Sequence, residues 1–187
     1  MRIIAGAWKG RRLRGPTAPG VRPTSDRLRE TLFNIVDVDL PDFRVLDGFA
    51  GTGALGLEAL SRGASHVTFV ERDRRAVDVI AANVRTCGAI DRCIIERGDF
   101  IDVARRLAGG PGFDLVLLDP PYDFADPGRL VDAAVDVLRP GGRIVLEHAR
   151  RRGAPQPARA AIVRELRSGD SQLTFYVPSG PTDDGAH

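Results

Sequence analysis

Residues 44–56 read Arg-Val-Leu-Asp-Gly-Phe-Ala-Gly-Thr-Gly-Ala-Leu-Gly. An apolar pair runs into Asp47, and Gly51, Gly53 and Gly56 then follow in the pattern G-x-G-x-x-G, with a helical stretch opening at Ala54. A strand that enters a glycine turn and leaves it as a helix is the opening unit of a parallel α/β sheet. Glycine lets the chain turn sharply there and approach a ligand closely.

The pattern continues on the C-terminal side. Short apolar runs predict strands at 44–47, 66–71, 92–96, 113–119 and 143–148, with helices between them at about 54–62, 74–86, 100–108 and 128–138. Leu115-Val116-Leu117-Leu118 does not alternate polar with apolar, so it reads as a strand buried on both faces. Strands at 161–167 and 172–177 have no long helix between them and predict an antiparallel hairpin at the sheet edge. The expected architecture is α/β, a mostly parallel seven-stranded sheet with that hairpin at its C-terminal edge.

On the N-terminal side, 2–5 and 11–14 flank the stretch Gly6–Gly10 and predict a short hairpin with a loose loop. Residues 15–23 are a Pro/Gly-rich linker. Thr24, Ser25 and Asp26 offer N-caps to a helix carrying Leu28, Leu32, Ile35 and Val36, which Pro41 ends. The chain therefore divides into a small extension at 1–40, the α/β body at 41–177 and a flexible tail at 178–187.

Composition limits the class. The 187 residues are 43% hydrophobic and 28% charged, which is ordinary for a globular domain. Two cysteines make no disulfide framework, and no apolar run reaches the ~20 residues of a membrane span, so a cytoplasmic protein without a membrane partner is expected. The net charge of +2 hides an asymmetry: residues 1–30 hold eight basic residues against Asp26 and Glu30, a net +6 that leaves −4 for the remainder. Only Lys9 is lysine; a GC-rich genome accounts for the arginine bias, but not for its clustering in the head. Arg2, Lys9, Arg11, Arg12, Arg22 and Arg27 are the candidates to neutralise nucleic-acid phosphates. Arg150, Arg151 and Arg152 read equally well as a solvated loop, and Trp8 as packing under the hairpin.

Three successive strand ends carry an acid. Asp47 can pair with a cationic ligand but would repel a pyrophosphate; Glu71 can accept from ribose hydroxyls; Asp99 can accept from an adenine amino group while Phe100 packs on the ring. Together they favour S-adenosylmethionine over a dinucleotide. The fourth strand ends Asp119-Pro120-Pro121-Tyr122. Proline fixes φ and removes backbone donors, which leaves outward carbonyls beside the Asp119 carboxylate. Two convergent acceptors suit an exocyclic amino group, which has two hydrogens to donate, and Tyr122 gives a base a ring to stack on.

That motif resembles the (D/N/S)-P-P-(Y/F/W) motif of amino methyltransferases, and the run from Asp47 to Gly53, with Phe49 inside it, resembles their cofactor-binding first motif. The head is more specific. Arg2-Ile3-Ile4-Ala5-Gly6 with Lys9-Gly10-Arg11, then Arg22 through Glu30 and Leu32-Phe33-Asn34, resembles the RsmD-type 16S rRNA guanine-N2 methyltransferase family. The resemblance runs from Arg2 to about Val177. It implies a class I, Rossmann-like methyltransferase fold, S-adenosylmethionine as methyl donor, and guanine 966 of 16S rRNA in the small ribosomal subunit as target. It implies cofactor contacts from Asp47, Phe49, Gly51, Gly53, Glu71, Asp99 and Phe100, and catalytic roles for Asp119, Pro120 and Tyr122. A monomer is expected.

The rivals are a DNA amino-methyltransferase acting on adenine N6 or cytosine N4, which the catalytic motif fits equally and from which the basic head, itself able to bind DNA as well, discriminates the rRNA reading; a methyltransferase of another RNA; a non-catalytic RNA-binding protein; and a nicotinamide-dependent oxidoreductase. The last leaves Asp-Pro-Pro-Tyr without a task. Cys87 and Cys93 lack histidines at zinc spacing and read as small apolar residues, His148 reads as structural, and no metal site is expected.

Overall fold

The computed structural model describes residues 1–15, 26–36, 40 and 42–180. Its centre is one seven-stranded sheet built from β1 (Arg44–Asp47), β2 (His66–Glu71), β3 (Cys93–Arg97), β4 (Phe113–Leu118), β5 (Leu138–Ala149), β6 (Ala160–Ser168) and β7 (Ser171–Pro178). The strand order is β3-β2-β1-β4-β5-β7-β6. The first five strands pair in parallel, and β7 lies antiparallel to both β5 and β6, as expected of the edge hairpin. In β1, Leu46 sits between Thr68 and Val116. The chain reverses its direction of winding between β1 and β4, which opens a crevice at their carboxyl ends.

Both faces of the sheet are buried, and side-chain alternation divides them. Val45, Leu115 and Leu117 join a cluster with Phe69, Ile80 and Leu57, while Leu46, Val116 and Leu118 join one with Phe100, Val103, Leu130 and Val131. On the first face lie α1 (Asp26–Val36), α2 (Ala54–Ser61) and α3 (Arg74–Cys87); on the second lie α4 (Phe100–Leu107) and α5 (Pro127–Val135). Asp73 caps α3 by accepting from Arg75 N and Ala76 N at 2.7 and 3.0 Å, and Asp126 caps α5 ahead of Pro127. Among the described residues no helix is long and apolar enough to cross a membrane.

The first 15 residues pack onto the body. The expected hairpin is reduced to one antiparallel bridge, Arg2 with Arg12, supported by Ile3 N to Arg11 O at 3.0 Å and Gly10 N to Ile3 O at 2.9 Å. A short 3-10 turn at Gly6–Trp8 takes up the intervening residues and stops the ladder. Glu58, wholly buried on α2, accepts from Ile4 N at 2.8 Å, Ala5 N at 3.0 Å and Arg62 Nε at 2.9 Å. Ser61 Oγ accepts from Trp8 N at 3.0 Å and donates to Ala5 O at 2.6 Å. Gly6 is held so closely that a Cβ there would stand 1.8 Å from the Ser61 carbonyl oxygen. Ile3, Leu13, Leu28, Leu32, Phe33, Val36 and Leu40 share the first core cluster with the strands. The extension thus has no core of its own.

Two boundaries differ from the sequence reading. Helix α5 stops at Val135 and β5 begins at Leu138, five residues earlier than expected. Leu138 pairs with Phe113, Arg143 with Leu115, and the four residues between, Arg139-Pro140-Gly141-Gly142, bulge out of the ladder with Gly141 at φ +79. The predicted caps Thr24 and Ser25, the terminator Pro41, the linker from residue 16 and the tail from 181 lie outside the described residues.

Candidate active site

The glycine loop leaves β1 at Asp47. Gly48 N donates to Leu117 O at 2.8 Å, and a Cβ on Gly48 would meet Leu118 and Phe100 at 2.7 Å, so the loop passes tightly over the sheet. Gly53, at φ +76, turns the chain into α2. Asp47 is 1% exposed; its Oδ2 accepts from Gly56 N at 3.0 Å, tying the strand end to the first turn of α2. Its Oδ1 has no hydrogen-bond partner among the described residues. Burial pushes the carboxyl up to about 7; the Gly56 N–H opposes that shift and the Glu71 charge adds to it.

A cavity of about 880 Å³ occupies the crevice. Phe49, Gly51, Glu71, Asp99 and Phe100 line it, as do Asp119, Pro120 and Tyr122, so most of the expected cofactor residues and all three expected catalytic residues share one space. Asp47 and Gly53 do not line it, and Asp47 Oδ2 makes a buried contact to the loop's own backbone. Glu71 accepts from Gly51 N at 2.9 Å on one oxygen and Asp73 N at 2.8 Å on the other, and each oxygen keeps a lone pair for a ligand. Asp99 Oδ1 caps α4 by accepting from Ile101 N at 2.9 Å. Phe49 lies 5.8 Å from Phe100 and 6.0 Å, edge-on, from Phe124, which forms an aromatic wall. Phe124 was missed in the sequence, although it stands two residues beyond the Pro-Pro-Tyr signal.

The loop after β4 is fastened from both sides. Tyr122 Oη donates to Glu147 Oε1 at 3.0 Å and shares a hydrogen bond with Ser171 Oγ. Burial raises the phenol above its ordinary range; the Ser171 hydrogen bond opposes this and the Glu147 carboxylate reinforces it, so Tyr122 is a neutral donor at pH 7. From the other side Arg152 Nη1 donates to Tyr122 O at 3.0 Å and to Phe124 O at 2.7 Å. Glu147 and Ser171 carry no local sequence signal, and Arg152 stands out only as one of the basic run 150–152. Glu147 and Ser171 meet Tyr122 because β5 and β7 pair Ala149 with Ser171, and Arg152 reaches it from the 3-10 turn Arg150–Arg152 that follows β5.

With this geometry in hand, the chain can be set beside known proteins. Residues 1–177 match the model of the family described as Conserved hypothetical protein 95. The chain belongs to that family. Among its relatives is Ribosomal RNA small subunit methyltransferase D of Haemophilus influenzae, 36% identical over 184 residues, covering 94% of this chain and 93% of the relative. The protein of the same name in Escherichia coli K12 is 36% identical over 183 residues, covering 94% and 89%. A solved Escherichia coli structure, yhhF, provisionally described as a methyltransferase, superposes with TM-score 0.84 at 32% identity and covers 96% of this chain and 98% of that one. The seven-stranded sheet is the class I, Rossmann-like methyltransferase fold.

Within this member of the Conserved hypothetical protein 95 family, the basic head is sorted by exposure. Arg2, Lys9 and Arg12 are exposed. Arg11 is exposed too, with Nη1 donating to Thr86 O at 2.9 Å in the last turn of α3. Arg27 is exposed at the cavity wall beside Met1; Arg22 lies outside the described residues. Arg29, counted in the head's charge, is wholly buried and donates through Nη2 to Arg2 O at 2.7 Å, so it adds nothing to the surface. Trp8 is half-buried under Arg92, whose guanidinium lies 5.2 Å from the ring centre. Asn83 Nδ2 donates to Arg14 O at 3.2 Å and to Thr52 O at 2.9 Å, and its Oδ1 accepts from Arg14 N at 2.8 Å, which joins the head to the glycine loop. Cys87 is buried and Cys93 half-buried, with the Cys93 thiol pushed up to about 12 chiefly by burial. His148 is buried with Nε2 2.8 Å from Thr174 Oγ1.

Proposed function

We propose that this protein transfers a methyl group from S-adenosylmethionine to the exocyclic N2 amino group of a guanine, guanine 966, in 16S rRNA of the small ribosomal subunit. The observation that carries the reading is the position of Asp119-Pro120-Pro121-Tyr122 at the end of β4, on the wall of the cavity that the glycine loop, Glu71 and Asp99 also line. The names of the relatives support rRNA of the small subunit as the substrate class.

The residues fit the donor. Glu71 has acceptor capacity left for ribose hydroxyls, Asp99 for an amino group, and the half-buried Phe49, backed by the buried Phe100 ring, offers a ring face to a purine. A side chain added at Gly51 would meet nothing within 4 Å, so that glycine leaves open room on the cavity wall. S-adenosylmethionine supplies, when bound, a methyl group made electrophilic by its sulfonium. The protein's part is placement. Asp119 Oδ and the Pro120 carbonyl accept the two amino hydrogens of a guanine splayed from its stack, and the Tyr122 ring supports the base. Holding two reactants in line can contribute about 7–11 kcal/mol. An amine loses its proton readily once alkylated, so Asp119 orients the nitrogen and receives that proton without needing a raised basicity. Arg2, Lys9, Arg11, Arg12, Arg22 and Arg27 grip phosphates, so binding weakens steeply with salt.

The test is transfer of labelled methyl groups onto small subunits, naked rRNA and DNA, followed by mapping of the modified base. Label at N2 of guanine 966 is the expected result; label on DNA adenine with none on rRNA overturns the reading. Asp119→Ala is expected to lower turnover by roughly 100-fold or more with unchanged cofactor affinity.

A further inference from the structure

A second cavity, of about 230 Å³, lies against the active site and shares Pro120, Pro121, Tyr122 and Glu147 with it. The loop after β4 is therefore a partition with a binding space on each side. The second space is smaller than the roughly 300–1,000 Å³ of cofactor pockets, which suits a single ring system. Its walls include the apolar rings of Pro121, Pro127 and Pro155, and polar groups, the Asp126 and Glu147 carboxylates among them, complete the lining. The Gln156 amide makes only a local 3.5 Å contact to Ala154 O, and Arg152 spends Nη1 on the Tyr122 and Phe124 carbonyls while its Nε and Nη2 donors remain for a ligand. Apolar faces with polar rims match an unstacked nucleobase, and the arginine at the mouth matches the phosphate that leads to it.

We propose that this cavity is a subsite for the nucleobase directly adjacent to the methylated guanine. The proposal rests on the rRNA methyltransferase reading. An extruded guanine in the main cavity has its neighbour tethered by one phosphodiester, and the wall between the two spaces is made of the Pro120-Pro121-Tyr122 segment and Glu147. Occupying both spaces keeps the target from restacking on its neighbour, and the protein thereby selects the dinucleotide context of the guanine as well as the base itself. Arg152 links the two events, since the side chain that faces the neighbour also holds the carbonyls of Tyr122 and Phe124 in place.

The experiment uses small subunits reconstituted with rRNA in which the nucleotide on one side of the target, or on the other, is abasic. Methyl transfer is followed with the full-length protein and with Gln156→Trp, which fills the cavity, and Gln156→Ala, which strips its edge. The wild type is expected to show KM raised about tenfold for one of the two abasic substrates. For at least one variant KM is expected to be raised on intact rRNA with little or no further increase on that abasic substrate, while cofactor affinity is unchanged. Equal KM for intact and both abasic substrates overturns the subsite, as does a full abasic penalty in both variants. Absence of transfer by the wild type to intact subunits overturns the methyltransferase reading, and the subsite with it.

Discussion

Glu58→Ala tests how the basic head is held. One buried carboxylate receives Ile4 N, Ala5 N and Arg62 Nε within 3.0 Å, and the Glu58 and Arg62 side chains are 0% and 5% exposed. A hydrogen bond to a charged group contributes about 1.5–3 kcal/mol, and breaking a buried ion pair costs about 3–5 kcal/mol because one charge stays behind. These figures overlap, since all three donors share one acceptor and Arg62 keeps its stacking on Phe33 at 5.3 Å. A net loss of about 4 kcal/mol is therefore expected, which for a chain of this length lowers Tm by roughly 8–16 °C. Glu58→Gln retains one acceptor oxygen but turns an NH2 group toward a former donor, so about half that loss is expected. Urea unfolding measures both variants, and amide exchange at Ile4 and Ala5 reports whether the head itself has come loose. Affinity for rRNA should fall alongside, because the arginines of the head then lose their fixed positions. A loss below about 1 kcal/mol in Glu58→Ala, or unchanged protection at Ile4 and Ala5, refutes the assignment of Glu58 as the anchor.

Other outcomes follow from the same geometry. The raised folded pKa of Asp47, about 7 against 3.8, means that its contribution to stability is fully present below about pH 4 and is lost as pH rises to about 7. Asp47→Asn removes that loss, which is on the order of 4 kcal/mol at most; its Tm should gain on the wild type between pH 5 and pH 8, and parallel Tm curves across that range refute the shift. Gly6→Ala combines φ +79 with a Cβ 1.8 Å from Ser61 O; we expect a loss of about 3 kcal/mol by denaturant titration, and a neutral effect contradicts the close docking. Tyr122→Phe keeps the ring but gives up the Glu147 and Ser171 hydrogen bonds, so turnover should drop by about tenfold, with Tyr122→Ala lower still. A Phe variant as slow as the Ala variant would show that the hydroxyl, not the ring, carries the role. Asn83→Ala removes the three contacts joining Arg14 to Thr52, and calorimetry should find weaker cofactor binding although Asn83 does not line the cavity.

The body was legible because burial on two faces leaves a mark in composition. Leu115 to Leu118 alternate between the two core clusters, and an unbroken apolar run is what such a strand requires. The site was legible where it follows from strand ends, since every parallel strand delivers its last residues to the same crevice. It was not legible where a side chain crosses the fold. Glu58 reaches Ile4 across 54 residues, Arg14 meets Asn83 across 69, and Arg152 reaches Tyr122 across 30; in sequence each is one more charged or amide residue on a helix or loop. Arg29 illustrates the error this produces, for a charge count places it on the surface and the fold buries it completely. The early start of β5 was hidden for another reason: Pro140-Gly141-Gly142 reads as a terminator, and a bulge absorbs it.

The four strand-end acids show what position alone leaves open. All stand in equivalent places at the carboxyl ends of β1 to β4 or just beyond them, and the hydration and neighbours of each decide its task. Asp47 faces inward, where desolvation raises its pKa and its Oδ2 accepts from the Gly56 amide. Glu71 stays at the cavity edge, where two amides, Gly51 N and Asp73 N, orient its oxygens and leave them able to accept again. Asp99 spends one oxygen on the first turn of α4, so its remaining capacity points where the helix start directs it. Asp119 is followed by two prolines, which contribute no backbone N–H, so the loop at the end of β4 presents carbonyls rather than donors beside its carboxylate. Moving the carboxylate by one residue in either direction would change which of these situations it met. The chemistry at the end of β4 therefore depends on the prolines beside the acid as much as on the acid.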